Sequence, residues 1–484
     1  MTDRFSSFFD VFAPGNVVHN SDVFTESVKL AVPHVDAPPP YSPTLKSVLT
    51  VVTAKPLDTV SGDAPGSYLT YNAKTKLNIR GQGTVVANCT GPLALLFAFS
   101  TNDSSKSTLY VQVSETTVDF WYGPSPPQGS SGFLPADKVA IEGQPMAQST
   151  SSYLRPDMPY PARYWLSVDH KNGILRFGRD YANLSMAMYQ AELKQRVPPG
   201  VYHWKNEKFA FIDELTTVSV QQTGGSPTAA PLQLVYLPLP VVQKLPPIIL
   251  PNDVITLEQL ATGSATVAAN LSPECQRLYA NVAGSKIELD TEDFREFSKA
   301  IERSVNTEGL LCQTMLKNKS TEFGPDDYKS TYLRITLGSD LGNSPGAPFV
   351  LEIWPALHAS PIHNHGDSHA IIKVLHGSIK AYYFTSLYDA VPIGPPANLS
   401  RGDVTWIDPN NYQVHQLSNE SRDGSICCTI QCYSYGAKDL RHYEAFDYVN
   451  DDTHKIIHHF EPNSDMSFLD FKAAIKKEWQ ERRN

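Results

Sequence analysis

Ten of the fourteen histidines fall between residues 358 and 459. Five sit in one run, His358-Ala-Ser-Pro-Ile-His363-Asn-His365-Gly-Asp-Ser-His369-Ala-Ile-Ile-Lys-Val-Leu-His376. A neutral imidazole is a common metal ligand. His363 and His365 are spaced i, i+2 just before a strand-like run, and alternation along an extended chain puts both on one face. Two imidazoles on one face can chelate one ion. Some fifty residues later, Pro409-Asn-Asn-Tyr-Gln-Val-His415 places a further histidine past a turn, on a predicted returning strand.

These two segments resemble the paired motifs of the cupin barrel, G…HxH…E…G and G…P…H…N. Gly377 supplies the end of the first, and Gly402, Pro409, His415 and Asn419 supply the second. Ala370 stands where many cupins carry a metal-binding Glu. The resemblance therefore implies a metal held by His363, His365 and His415, with no carboxylate. Three neutral imidazoles leave the full dipositive charge on the metal and favour an anionic substrate ligand such as a thiolate. A two-His, one-carboxylate face is the more usual oxygenase arrangement.

The string Ser360-Pro-Ile-His363-Asn-His365-Gly-Asp367-Ser368-His369 is similar to the SxIHxHxDSH signature of the cysteine dioxygenase family. The resemblance extends over about residues 253–484 and is strongest over 325–450. It implies Fe(II) as the cofactor. Thr331-Tyr332-Leu-Arg334 matches the family's Tyr-x-Arg strand, whose arginine pairs with the substrate carboxylate, so Arg334 and Tyr332 are the implied substrate-binding residues. Cys432-Tyr433-Ser434 matches a late strand whose tyrosine hydroxyl reaches the active site, which makes Tyr433 the implied catalytic residue. His369 corresponds to a family histidine just outside the ligands. Gln431 stands where the family has a histidine that bonds the tyrosine; Gln can still donate or accept one such bond but cannot titrate. Ala370 also stands where animal members carry a cysteine cross-linked to the tyrosine, so this chain resembles the bacterial members that lack the link. His358, His376, Cys427 and Cys428 read as ordinary packing residues, and His454, His458 and His459 as a solvated patch.

The elements that would position these residues are mainly strands. From 330 onward strands are expected at Thr331–Ile335, Phe349–Trp354, His369–Phe384, Val404–Ile407 and Ile426–Tyr435. Asp290-Thr291 can cap a helix whose face carries Phe294, Phe297, Ile301 and Val305. Ser464 or Asp465 can cap a final helix with Phe468, Phe471, Ile475 and Trp479 buried. The expectation is a cupin barrel with helices on its N-terminal side. Residues 1–222 hold many short strand-like runs, including Phe209–Ile212 and an Asn172-Gly173 hairpin between Tyr164–Val168 and Ile174–Phe177. They read as an all-β sandwich. The stretch around Tyr164–Val168 and Gly173–Gly178 resembles the farnesoic-acid-methyltransferase type of β-sandwich, which implies a binding or scaffolding module. Residues 223–252 read as a Gly/Pro-rich linker, so a fragment starting near Asn252 is expected to fold alone.

With 41% hydrophobic and 19% charged residues, the chain can bury sizeable cores. Its net charge of −10 argues against nucleic acid or an anionic membrane as partners. Neither a basic-then-apolar leader nor an apolar run of membrane length is present. Six scattered cysteines fit reduced thiols, and with the missing leader they point to the cytoplasm. The expected function is an Fe(II)-dependent thiol dioxygenase that takes L-cysteine, or a related small thiol carboxylate, and O2 to the sulfinic acid. The alternatives are a metal-binding cupin without turnover, serving as a sensor or assembly module, and a cupin enzyme of another reaction type. Tyr332, Arg334 and Tyr433 together favour the dioxygenase, since a bare metal staple needs none of them.

Overall fold

Runs rich in β-branched and aromatic residues build two seven-stranded antiparallel sheets in the N-terminal half. One holds Val51–Thr53, Gln233–Leu237, Gln82–Cys89, Ala162–Asp169, Ile174–Arg179, Ala187–Glu192 and Gly143–Pro145, in that spatial order. The other holds Lys55–Pro56, Leu69–Lys76, Thr217–Gly225, Ala94–Ser100, Thr108–Val113, Val118–Gly123 and Val139–Ile141. Alternation sends Val85, Leu166, Phe177 and Leu234 of the first sheet into one core with Phe97, Leu109, Val111 and Val220 of the second. Phe97 and Phe177 meet edge-to-face across it, with centroids 6.5 Å apart. This is the expected sandwich, with Gly173 in the left-handed region (φ 61°) between the paired strands Ala162–Asp169 and Ile174–Arg179.

The computed structural model describes residues 51–482, apart from 54, 57–68, 91–93, 126–136, 147–153, 155–161, 195–205, 226–231, 243, 325–327, 338–348, 367, 389, 435–445, 452 and 461. Asp367 and Tyr435 lie outside them. Among the described residues, no helix is long and apolar enough to cross a membrane.

Phe209–Ile212 is not a strand but part of a 3-10 helix, Glu207–Glu214. Asn206 caps it by accepting from the Lys208 amide, and Phe209 and Ile212, three apart, are its buried residues. Residues 223–252 are not a free linker. Gln233–Leu237 pairs between Val51–Thr53 and Gln82–Cys89 in the sandwich, and Ile248–Ile249 joins a sheet of the C-terminal half.

The C-terminal half carries a seven-stranded sheet: Ile248–Ile249, Val404–Ile407, His369–His376, Cys427–Ser434, Phe349–Trp354, Leu333–Leu337 and Met466–Ser467. A three-stranded sheet holds Ala397–Ser400, Ser378–Tyr383 and His415–Ser418. Side chains at 354, 374 and 427 from the large sheet share a core with Ile379, Ala381, Leu399 and Leu417 from the small one. The opposite face of the large sheet (Leu333, Ile335, Leu351, Ile353, Ile371, Ile430) packs on the helices Pro273–Val282, Phe297–Asn306, Leu311–Asn318 and Phe468–Glu481. Burying each such side chain contributes about 1.5–3 kcal/mol. The chain is mainly β, with the two-sheet arrangement of a double-stranded β-helix. Among the described residues the sheets do not close into a barrel, and isolated bridges such as His363–His415 stitch one rim.

Gly377 makes the turn from the large to the small sheet. It has φ 70°, and a Cβ there would lie 2.2 Å from the Ile426 carbonyl oxygen, so a larger residue is excluded. The helix expected from Asp290 starts seven residues later, at Phe297. Asp290 still serves its N-terminus, accepting from the Ser298 amide at 2.7 Å and the Ser298 hydroxyl at 2.8 Å. The last helix is capped by Ser467. Asp465, expected as its cap, instead accepts from the Arg334 amide at 2.7 Å.

The two halves touch. Tyr181 of the sandwich packs with Phe384, Leu387 and Val414, and Ile393 packs on the sandwich cluster of Trp165, Met186 and Val241.

Candidate metal centre

His363 and His365 lie on the irregular segment before the His369–His376 strand, and His415 opens the strand His415–Ser418. The His363 and His415 backbones exchange two hydrogen bonds, 3.0 and 2.9 Å long, which locks the segments side by side. All three imidazoles are buried, and their ligand atoms lie within 4.8 Å of one another. The Nε2 atoms of His363 and His365 are 3.1 Å apart. Two nitrogens bound at about 2.1 Å to one ion stand roughly 3 Å apart, so this spacing fits chelation.

The tautomers fit as well. Nδ1 of His363 donates to the Pro361 carbonyl at 2.9 Å, and Nδ1 of His415 donates to the Tyr412 carbonyl at 2.9 Å. Each bond leaves the Nε2 lone pair for a metal. Burial drives the pKa of His363 and His365 well below the usual imidazole value, and that of His415 down to about 4. The neighbouring imidazoles lower His363 and His365 further. The donor set is therefore neutral at physiological pH and could hold a divalent metal.

The surroundings position the ligands. Gln413 accepts from the His365 amide at 3.3 Å and donates to the carbonyls of Ser368 and Asp408 at 2.6 and 3.0 Å. Tyr412 has φ 62°, a left-handed conformation that costs a non-glycine residue about 1–3 kcal/mol. Its ring is held against Trp406 and Tyr383, and its hydroxyl donates to the Leu245 carbonyl. The strain orients the carbonyl that fixes His415.

The strand register places the remaining residues. Arg334 faces Glu352 across one pair of strands, Glu352 faces Thr429, and Ala370 faces Tyr433. Alternation puts Arg334, Glu352, Gln431, Tyr433 and Ala370 on the face away from the helices. The Tyr433 ring lies 5.3 Å from that of His365. Its hydroxyl donates to Oε1 of Gln431, and Nε2 of Gln431 donates to Oε2 of Glu352. Arg334 Nη1 donates to Oε1 of Glu352 at 2.7 Å. The guanidinium expected to await a substrate carboxylate is thus already paired with one from the protein. Glu352 is the residue the sequence reading missed, although an acid inside the apolar strand Phe-Val-Leu-Glu-Ile-Trp was a visible signal.

Tyr332 is buried and stacks on Trp354, with centroids 4.2 Å apart, next to Phe323 at 6.1 Å. This aromatic stack reaches the ligands through Tyr448 and Phe446, whose ring lies 4.9 Å from His363. His369 shares the helix-facing side of its strand with Ile371 and pairs with Ser434, so the fold does not bring it to the metal ligands. His358 donates to the Thr331 carbonyl at 2.8 Å, a packing role. All six cysteines are buried and free of disulfides.

No protein-family profile matches the chain, and no curated protein does. Similar solved structures include a double-stranded β-helix protein from Klebsiella pneumoniae (14% identity, TM-score 0.19, 25% of this chain and 80% of that one). An oxalate oxidase matches at 13% identity and TM-score 0.18, over 22% of this chain and 46% of its own. A cupin 2 domain-containing protein from Halorhodospira halophila matches at 14% and 0.18, over 31% and 83%.

Proposed function

We propose that the chain is an Fe(II)-dependent thiol dioxygenase that converts a small thiol and O2 into the sulfinic acid. The observation that carries this reading is the buried set of three neutral imidazoles, His363, His365 and His415, which no carboxylate joins among the described residues, with a tyrosine against one ring. Bound iron would supply the redox chemistry and the open positions for thiolate and O2. In the overall step two S–O bonds form and the O–O bond breaks. Sulfur provides all the electrons that O2 takes, and the thiol proton stays with the product.

The protein contributes position and dryness. The carbonyls of Pro361 and Tyr412 aim two imidazoles, and the backbone pair at 363 and 415 fixes their separation. Tyr433 holds a hydroxyl proton beside the ligands, and Gln431 sets its direction. Catalysis belongs to residues 253–484, and residues 1–222 act as a binding or scaffolding module. The test is oxygen uptake by the iron-loaded full chain across small thiols, with the sulfinate identified by mass spectrometry. Folded, iron-loaded protein that consumes no O2 with any thiol would instead support the metal-binding module without turnover.

A further inference from the structure

We propose that Glu352 sets the substrate class: thiols that carry no free carboxylate, with aminothiols ahead of thiol acids. The inference rests on the thiol-oxidising reading and departs from its expected substrate, cysteine.

Glu352 lies in the middle of the strand Phe349–Trp354, directly opposite Arg334. The side chains of both are almost fully buried, at 3% and 6% exposure, and their closest contact is 2.7 Å. The second carboxylate oxygen of Glu352 takes the amide of Gln431, whose own oxygen takes the Tyr433 hydroxyl. One polar chain therefore runs from beside His365 through Tyr433, Gln431 and Glu352 to Arg334.

A guanidinium recruits an anionic ligand when its charge is left for that ligand to neutralise. Here Glu352 neutralises it. A thiol acid would bring its carboxylate up to the same guanidinium and meet Glu352 across it. Two like charges would then compete for one cation away from water, where their repulsion is least screened. Taking Arg334 from Glu352 would also remove the neighbouring cation from a buried carboxylate. An ammonium group brings no second carboxylate to compete with Glu352, and a carboxylate can accept from several donors. Cysteamine fits this chemistry, as does cysteine whose carboxylate is tied up in an amide.

The experiment compares cysteamine, 2-mercaptoethanol, 3-mercaptopropionate and cysteine on the full chain. Binding is measured anaerobically by calorimetry on the Zn(II)-loaded protein, and turnover on the iron-loaded protein. The parent should bind cysteamine at least about tenfold tighter than 3-mercaptopropionate. Glu352→Gln keeps the shape and an acceptor but removes the charge, and should move that ratio by roughly tenfold or more toward the thiol acid. The parent's own ranking needs no variant, so the proposal stays testable if Glu352→Gln folds poorly. A parent that prefers 3-mercaptopropionate or cysteine overturns the assignment, as does an unchanged ratio in a folded variant. Binding and oxidation of none of the four would overturn the thiol reading itself.

Discussion

The side-chain amide of Asn183, in the sandwich, donates to the backbone carbonyl of Asn410, in the turn that leads to His415. Asn183 also accepts from the Ser185 amide at 2.9 Å, so its side chain is committed at both ends. The same turn is held from a second side, where Tyr412 reaches Leu245 and Trp406 Nε1 donates to the Pro246 carbonyl at 2.9 Å.

A fragment beginning at Asn252 would lose the strand Ile248–Ile249 and both carbonyl acceptors. It should be poorly soluble or fail to hold metal, contrary to the expectation from the linker alone. A fragment beginning at Leu239 restores those groups and should recover metal binding in part, still without Asn183. In the full chain, Asn183→Ala should accelerate metal loss to a chelator severalfold with little change in overall melting. Equal metal retention by the Asn252 fragment and the full chain would show that the sandwich and its connection do not support His415.

His363→Ala, His365→Ala and His415→Ala should each remove the metal, measured by elemental analysis at a single ion per parent chain. A neutral imidazole lost from a three-ligand site leaves two, too few for a stable site. Circular dichroism should stay near the parent's, because the helix-facing core of the large sheet lies on its other side and the backbone pairing of 363 with 415 needs no imidazole. Any variant that keeps full metal occupancy removes its residue from the ligand set.

The site was legible to different depths for physical reasons. His363 and His365 could be read from their spacing and the motif around them, although they lie on an irregular segment and not on a strand. Strands such as Phe349–Trp354 and Val404–Ile407 came through at their full length, being dense in β-branched and aromatic residues. Gly377 split the expected strand His369–Phe384 in two through a backbone conformation that periodicity does not encode. His369 neighbours Ala370 in sequence but faces the other way, on the side of Ile371. The strands Phe446–Val449 and Ile456–Phe460 went unread, since mixed polar and charged residues hide their alternation. Arg334 was legible as a candidate carboxylate-binding residue but its pairing with Glu352 was not, because that depends on the register between strands whose two residues lie 18 apart in sequence.

Acid should destabilise the metal-free protein through the histidine cluster. The folded-state pKa of His415 is about 4, below the ordinary 6.5, and those of His363 and His365 are also depressed. For a base held neutral by burial, the unfolded chain takes up the proton first as pH falls. The associated stability is complete above about 6.5 and is lost as pH drops toward 4. Denaturant melts of metal-free protein between about pH 7 and pH 5 should show this loss. His415→Asn, which cannot titrate, should flatten the curve. Identical pH dependence in parent and variant would mean that other groups govern the acid limb.

Tyr433 and Gln431 can be separated from the metal ligands by what each variant leaves intact. Tyr433 is buried, bonds Gln431 and lies against His365. Tyr433→Phe removes one hydroxyl and keeps the ring, so metal content and the apparent Michaelis constant should stay near the parent's. A positioned proton donor contributes typically about 100-fold or more, so kcat should fall by that order. Gln431→Leu should act through the tyrosine. With no acceptor at that position the hydroxyl loses its fixed direction, and Glu352 loses one donor. A smaller fall in kcat is expected, with some loss of stability from the exposed demand of the buried carboxylate. Gln431→His keeps a hydrogen-bonding group and should recover most of the rate. Parent-like turnover in Tyr433→Phe would confine this tyrosine to packing and leave the proton handling to the substrate itself.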